Sequence, residues 1–236
     1  MLLESLDMTV ALVDDCAPAT RPYESDRARM AAVYSLPVRV PEPRVLEIRS
    51  AGDNRPRLFR ASDIACVPAH GLPPCPPADA YDLIVMHRTL DGLSGHQDRG
   101  RAYESCSSLL QWATTLLSPL GAVAGAVSNR FAGWHPGFWG RSTSHDGGWL
   151  AAQNCEQLLS STSLTNAEVF GVHPTADAPL TILSLHSRTY RGHALRELRR
   201  HASAFSRAGY AARMLWHATG YGRHLHRDLM FWAFRT

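Results

Sequence analysis

The sequence predicts an α/β domain built on a mainly parallel sheet with helices on both faces. Two apolar runs point there first, "YDLIVMH" (Tyr81 to His87) and "AVAGAVSN" (Ala122 to Asn129). Neither alternates polar and apolar residues, which is the pattern of strands buried on both faces rather than one. The second observation is what separates such runs: helix-length stretches without Gly or Pro inside, bounded by Pro/Gly punctuation. The third is length, because 236 residues suffice for one medium domain with a sizeable core and leave two independent domains cramped.

Taken in order, "DRARMAAVYSL" (Asp26 to Leu36) is expected to be a helix, ended by the Pro-marked "PVRVPEP". "RVLEI" (Arg44 to Ile48) is a short β-type run, and "RPRLFRASDI" offers a second around Leu58 to Arg60. The Pro-rich "VPAHGLPPCPPADA" (Val67 to Ala80) is a loop, since proline removes ladder donors. After the strand at Tyr81, "RGRAYESCSSLLQWATTLL" is a helix, and Pro119 and Gly121 turn the chain into the next strand. A Gly/Trp-rich excursion, "RFAGWHPGFWGRSTSHDGGW", precedes the helix "LAAQNCEQLLSST". "AEVFGVHP", "LTILSLH" and "DLMFWAF" are further strands, with a long Arg-bearing helical region before the last. Strands alternating with helices give the α/β sheet.

Composition removes some chemistries. All 24 basic residues counted as Lys plus Arg are Arg. A P-loop nucleotide site and Schiff-base catalysis both need a lysine, so both are out. The five cysteines are scattered and odd in number, with no C-x-x-C pair, and the first residues are acidic rather than basic, so a cytoplasmic protein is expected. Residues Ser105 to Asn129 carry no charge, but Gln111 and the central Ser118-Pro119-Leu120-Gly121 divide them into helix, turn and strand; no membrane span is expected. The net charge of +3 hides an asymmetry: ten arginines against Glu197 and Asp228 give +8 in residues 188–236, leaving −5 in the residues before them.

From about Pro43 to Arg235 the order of elements resembles the class I S-adenosylmethionine-dependent methyltransferases. "RVLEIRSAGD" looks like their first strand and motif I, and "ASDIACVPAHGLPPCPPADAYDLIVMHRTLDGL" like the segment from the third strand's acid through the fourth strand. "LLSPLGAVAGAVSN" looks like the turn into strand five, and "LLSSTSLTNAEVFGVHP" like the helix and strand six. The resemblance implies a reduced Rossmann-like domain at 43–236, with an N-terminal helical extension at 1–42 and the Arg-rich helical segment 188–228 inside the domain. It also implies that Glu47, Gly52 and Asp63 occupy cofactor-contact positions.

Motif I is nevertheless degraded. Its glycines let the backbone approach a ligand and adopt positive φ; here Arg49, Ser50 and Ala51 stand in that stretch and only Gly52 remains. Only fifteen residues separate Glu47 from Asp63, too few for the two crossover units expected between those positions. The ribose-binding strand is expected to be missing, and no cofactor is expected.

Other candidates follow from position. His87 ends a strand where open α/β sheets place their ligand crevices, and histidine can serve as a general base near neutral pH. Asn129 ends the next strand and is a second candidate of the same kind. Trp134 and Trp139, with His135 and Phe138, are expected to form an aromatic lid over a ligand or partner, so that Trp134 and Trp139 are partner-binding candidates; the alternative is that they cover the gap left by the missing units. His224 and His226 lack the further ligands of a zinc site, and Ser144-His145-Asp146 adjoin in sequence as triad members rarely do, so no metal or triad is expected. Arg191, Arg199, Arg200 and Arg207 interleave with Tyr190, Phe205, Tyr210 and Trp216, a face suited to an acidic protein partner or an anionic ligand, with nucleic acid as an alternative and a homo-oligomer left open.

The expected protein is therefore a catalytically degenerate methyltransferase-like pseudoenzyme, an accessory or partner-binding component of a biosynthetic or modification pathway. Two alternatives stand beside it: an active small-molecule methyltransferase with an atypical S-adenosylmethionine pocket, and an enzyme reusing the crevice for another reaction.

Overall fold

The computed structural model describes residues 22–68, 72–73, 80–94, 99–129, 152–185, 196, 226 and 228–235. Seven strands form one sheet: β1 (Val45–Ser50), β2 (Asp63–Val67), β3 (Tyr81–His87), β4 (Leu117–Ser128), β5 (Leu164–Thr175), β6 (Ala178–Ser184) and β7 (Asp228–Arg235). Among the described residues, the helices beside them are α1 (Pro22–Ser35), α2 (Thr89–Ser94), α3 (Arg99–Leu116) and α4 (Ala152–Ser160).

The strand order is β2-β1-β3-β4-β7-β5-β6. β2, β1, β3 and β4 pair in parallel, and β7 is inserted antiparallel between β4 and β5. β5 therefore points the same way as the first four strands, and only β6 and β7 run against them. The chain leaves β1 for the edge strand β2, then returns to β1's other side for β3. That reversal between β1 and β3 is a topological switch point, where open α/β sheets hold ligands beyond the carboxyl ends of their strands.

Two cores lie on the two faces. On one, Leu46, Ile48, Ile84, Met86 and Val123 pack with Leu109, Leu110, Ala113 and Leu116 of α3 and with Cys155, Leu158 and Leu159 of α4. On the other, Val45, Leu83, Val85, Ala122, Ala124 and Met230 pack with Met30, Val33 and Tyr34 of α1. Alternate residues of β1 and β3 thus feed opposite cores, as the period of two along a strand requires. Helices cover both faces, as the buried, non-alternating runs predict. α1 opens on Pro22, whose fixed φ suits the first helical position.

Two local expectations change, while the short β1–β2 connection is as expected. Leu58 to Arg60 is a turn, not a strand; Leu58 and Phe59 instead pack against the α1-side core, and the strand begins at Asp63. β1 and β2 are joined by residues 51–62 with no helix between them. Pro119 and Gly121 do not precede β4 but interrupt its start: Tyr81 pairs with Leu117 and Leu83 with Ala122, so the intervening residues bulge outward. At the bulge Leu120 has φ 68° and is 87 % exposed, while Gly121 lies so close to the Ser118 carbonyl that a Cβ would sit 2.9 Å from it.

Candidate functional site

β1 carries Glu47 and Arg49 on the α1-side face, two residues apart and therefore side by side. Glu47 is buried, and its carboxylate is fully engaged by the chain itself. Arg49 donates from Nη2 to Oε2 at 2.6 Å, the Phe59 amide donates to Oε1 at 2.9 Å, and the Ser62 hydroxyl donates to Oε1 at 2.6 Å. Burial alone would raise the Glu47 pKa, but these donors outweigh it and hold the carboxyl below its ordinary value. Arg49 Nη1 also donates to the Arg55 carbonyl, tying the 51–62 connection to β1.

The turn after β1 closes with the Asp53 amide donating to the Ser50 carbonyl at 3.1 Å, and Gly52 adopts φ 81° within it. Its Cβ position is open, so glycine is needed here for backbone conformation and not for close approach. Asp53 in turn accepts from the Arg55 amide, Nε and Nη2 at 3.0, 2.8 and 2.6 Å. Arg55 Nη2 reaches the His87 carbonyl at 2.8 Å.

His87 ends β3 between two partners. Its Nδ1 lies 2.6 Å from the Tyr34 hydroxyl of α1, and its Nε2 lies 2.8 Å from Asp177 Oδ1 in the β5–β6 turn. With Asp177 ionised, the neutral ring donates from Nε2 to Asp177 and accepts at Nδ1 from Tyr34. Burial lowers the His87 pKa below 6.5 and raises that of Tyr34, which keeps both neutral. Asp177 is pushed up by partial burial, but donors from His87 and Arg88 prevail and hold it well below the carboxylate range.

Arg88 follows with φ 59°, a left-handed backbone conformation that costs a non-glycine residue stability. Its guanidinium reaches Asp177 Oδ2 at 2.9 Å, Asp228 Oδ2 at 2.8 Å and the Ser128 hydroxyl at 2.7 Å. One side chain thereby joins the ends of β3, β4 and β7 with the β5–β6 turn. Asp91 of α2 accepts from the Ser128 amide and hydroxyl, and burial raises its pKa.

Between α1, the 53–58 connection and the ends of β1 and β3 lies a cavity of about 90 Å³. Arg27, Met30, Glu47, Arg49, Asp53, Arg55, Leu58, Val85, His87 and Asp177 contribute to its walls. Ligand pockets usually measure roughly 300–1,000 Å³.

The structure brings Glu47 and His87 into one site, with Gly52 in the turn beside it, and places Asp63 and Asn129 outside its walls. Asp63 opens β2 and so lies at its amino end, opposite the crevice; it accepts from the Tyr81 hydroxyl at 2.9 Å. Its expected place beside a ligand with Glu47 is corrected by that position. Asn129 is buried and donates from Nδ2 to the His226 carbonyl at 2.7 Å, bridging the end of β4 to the approach to β7. His87, expected as a base, has both ring nitrogens engaged by protein groups. Trp134, Trp139, Arg191, Arg199, Arg200 and Arg207 lie outside the described residues. Among the described residues no group of three or more His, Cys, Asp or Glu could hold a metal ion, and no helix is long and apolar enough to cross a membrane.

Sequence reasoning missed Tyr34, Arg55, Arg88 and Asp177. Arg88 carried a usable signal, since it directly follows His87 at a strand end. Asp177, in "PTADAP", sits in the turn that brings it back over β3 only after β5 and β6 have paired.

Fold and site together define an open α/β protein with a small, charged cavity at its switch point. No protein-family model matches the sequence, and no curated protein matches it. Among solved structures, the chain is similar to an S-adenosylmethionine-dependent methyltransferase from Thermotoga maritima, a possible histamine N-methyltransferase: identity 12%, covering 91% of this chain and 89% of that one, TM-score 0.47. A methyltransferase of the same dependence from Archaeoglobus fulgidus shares 11% identity over 90% of this chain and 94% of its own, TM-score 0.47. The N-methyltransferase NodS from Bradyrhizobium japonicum, in complex with S-adenosyl-L-homocysteine, shares 15% over 92% and 89%, TM-score 0.43.

Proposed function

We infer that this chain is a methyltransferase-like frame that does not methylate with S-adenosylmethionine and acts as an accessory or partner-binding component, in a biosynthetic or modification pathway. One observation carries the reading: the Glu47 carboxylate, at the motif I position, is occupied by Arg49, Ser62 and the Phe59 amide. A cofactor ammonium seeking that carboxylate would have to displace a buried guanidinium and would meet a like charge in doing so. The small cavity and the helix-free β1–β2 connection support the same conclusion, because no helix N-terminus follows motif I to receive a ligand. The residues present do not fit the cofactor. An active methyltransferase would need Arg49 to leave Glu47.

The +8 balance of residues 188–236 supports a partner role, with an acidic protein as the partner. Calorimetric titration with S-adenosylmethionine tests the central statement. No saturable binding in the micromolar range is expected, and stoichiometric micromolar binding would overturn it.

A further inference from the structure

α1 lies over the sheet on few anchors. Its buried apolar side chains among the described residues are Met30, Val33 and Tyr34, all in the second half of the helix. An element held by so small an apolar patch is among the first to open locally. Met30 also walls the cavity at the ends of β1 and β3, so lifting the helix opens the switch point to solvent.

A hydrogen bond fastens this patch to β3. Tyr34 is wholly buried, packs edge-on against His87 with ring centroids 5.8 Å apart, and gives its hydroxyl proton to Nδ1 at 2.6 Å. The ring's one proton sits on Nε2, facing the ionised Asp177 at 2.8 Å, which leaves Nδ1 as the acceptor. A second proton on His87 turns Nδ1 into a donor as well. The Tyr34 oxygen can accept from it, but the hydroxyl's own proton then has no acceptor, because its partner among the described residues is His87. A buried donor left unmet is costly, and the helix relieves it by lifting Tyr34 into water. The charged groups facing the ring are Asp177 from the β5–β6 turn, Arg55 from the connection after β1 and Arg88 from the end of β3. Asp177 favours the added proton, but burial and the two guanidiniums oppose it and prevail. Glu47, Asp53 and Asp228 nearby are each paired with an arginine.

We propose that Tyr34 and His87 form an acid-released latch: protonation of His87 frees α1 from the ends of β1 and β3 and opens the switch-point cavity while the sheet stays intact. The proposal stands apart from the proposed function, which concerns Glu47. With the helix lifted, the ring meets water and takes up its proton near the ordinary 6.5, whereas under the helix it resists. The open form therefore gains on the closed one by up to about tenfold for each pH unit below 6.5. Above that value the ring is neutral in both forms and pH has no hold on the helix.

The experiment is amide hydrogen exchange of the full chain at about pH 7.5, 6.5 and 5.5, with rates corrected for the intrinsic pH dependence of exchange. Between about pH 7.5 and 5.5, protection in residues 26–35 is expected to fall by about three- to tenfold, while that of β3 and β4 changes by less than about twofold. His87→Gln, which cannot titrate, should abolish this step. Tyr34→Phe, which lacks the hydroxyl, should lower protection in residues 26–35 by about threefold or more already at about pH 7.5, again without a matching loss in β3 and β4. The proposal is overturned if α1 keeps its protection down to about pH 5.5, if β3 and β4 lose theirs in step with it, or if His87→Gln retains the wild-type step. Wild-type protection of α1 in Tyr34→Phe also overturns it, a readout that does not depend on the His87 variant folding.

Discussion

The Arg49 guanidinium lies 2.6 Å from the Glu47 carboxylate, and both side chains are almost wholly removed from solvent, at 11 % and 4 % exposure. An arginine that on sequence grounds obstructs a cofactor loop is therefore the partner that makes its acid tolerable inside the protein. Removing the arginine alone leaves a buried charge without its counter-ion. Arg49→Met is expected to destabilise by about 3 kcal/mol or more, whereas Glu47→Gln with Arg49→Met should recover much of the loss, since an uncompensated buried charge is what costs most. Urea denaturation of wild type, single and double variants measures it; equal losses in the single and the double would contradict the pairing.

The Tyr34 hydroxyl is buried and has His87 Nδ1 at 2.6 Å, so Tyr34→Phe deletes a donor and leaves a buried acceptor unmet. A loss of about 1–3 kcal/mol is expected. Because Tyr34 is also the contact that fastens the end of α1 to β3, amide exchange in residues 26–35 should accelerate more than in β3 or β4. Uniform acceleration across all three elements would mean that the hydroxyl holds the whole fold rather than the helix.

Gly52 has φ 81° with open space around its Cβ position. Substitution by alanine meets no steric neighbour and is penalised by backbone conformation alone, about 1 kcal/mol, while asparagine tolerates left-handed geometry better. Gly125 is the opposite case: a Cβ there would come within 2.3 Å of the Phe231 ring. Gly125→Ala should cost about 1–3 kcal/mol through overpacking between β4 and β7. Thermal midpoints rank the three variants, Gly52→Asn highest and Gly125→Ala lowest, and any other order counts against this division of glycine roles.

Strands buried on both faces were legible because their apolar runs need no partner to be recognised: Leu83, Ile84 and Val85 of β3 pair with Ala122, Val123 and Ala124 of β4. The shortened β1–β2 connection was legible too, since fifteen residues between Glu47 and Asp63 bound what can lie there. The turn at Leu58 to Arg60 was not, because its apolar residues serve the α1-side core rather than a strand. Asp63 falls at the amino end of β2 because the strand begins there and not around Leu58 to Arg60, where the apolar run suggested it. The site's remaining members, Tyr34 and Asp177, stand 53 and 90 residues from His87, and no local pattern announces contacts of that span.

The His87 ring supplies the pH dependence. Burial lowers its pKa below the ordinary 6.5, against the pull of Asp177 and with Arg55 and Arg88 adding repulsion. The groups facing the ring are Tyr34, kept neutral by burial, and Asp177, kept ionised by His87 and Arg88. As pH falls through 6.5 the unfolded chain takes up a proton on this histidine before the folded chain does, so this contribution is complete above 6.5 and is lost progressively below it. Glu47, Asp53 and Asp177 have lowered values, and their contributions are present above the ordinary carboxylate range and lost only at more acid pH. His87→Gln should therefore flatten the fall in stability between about pH 6.5 and 5 and leave the steeper acid limb below about pH 4 in place. Unfolding free energies from urea titrations between pH 3 and 8 test it, and a variant that keeps the wild-type slope above pH 5 would show that another group, not His87, titrates there.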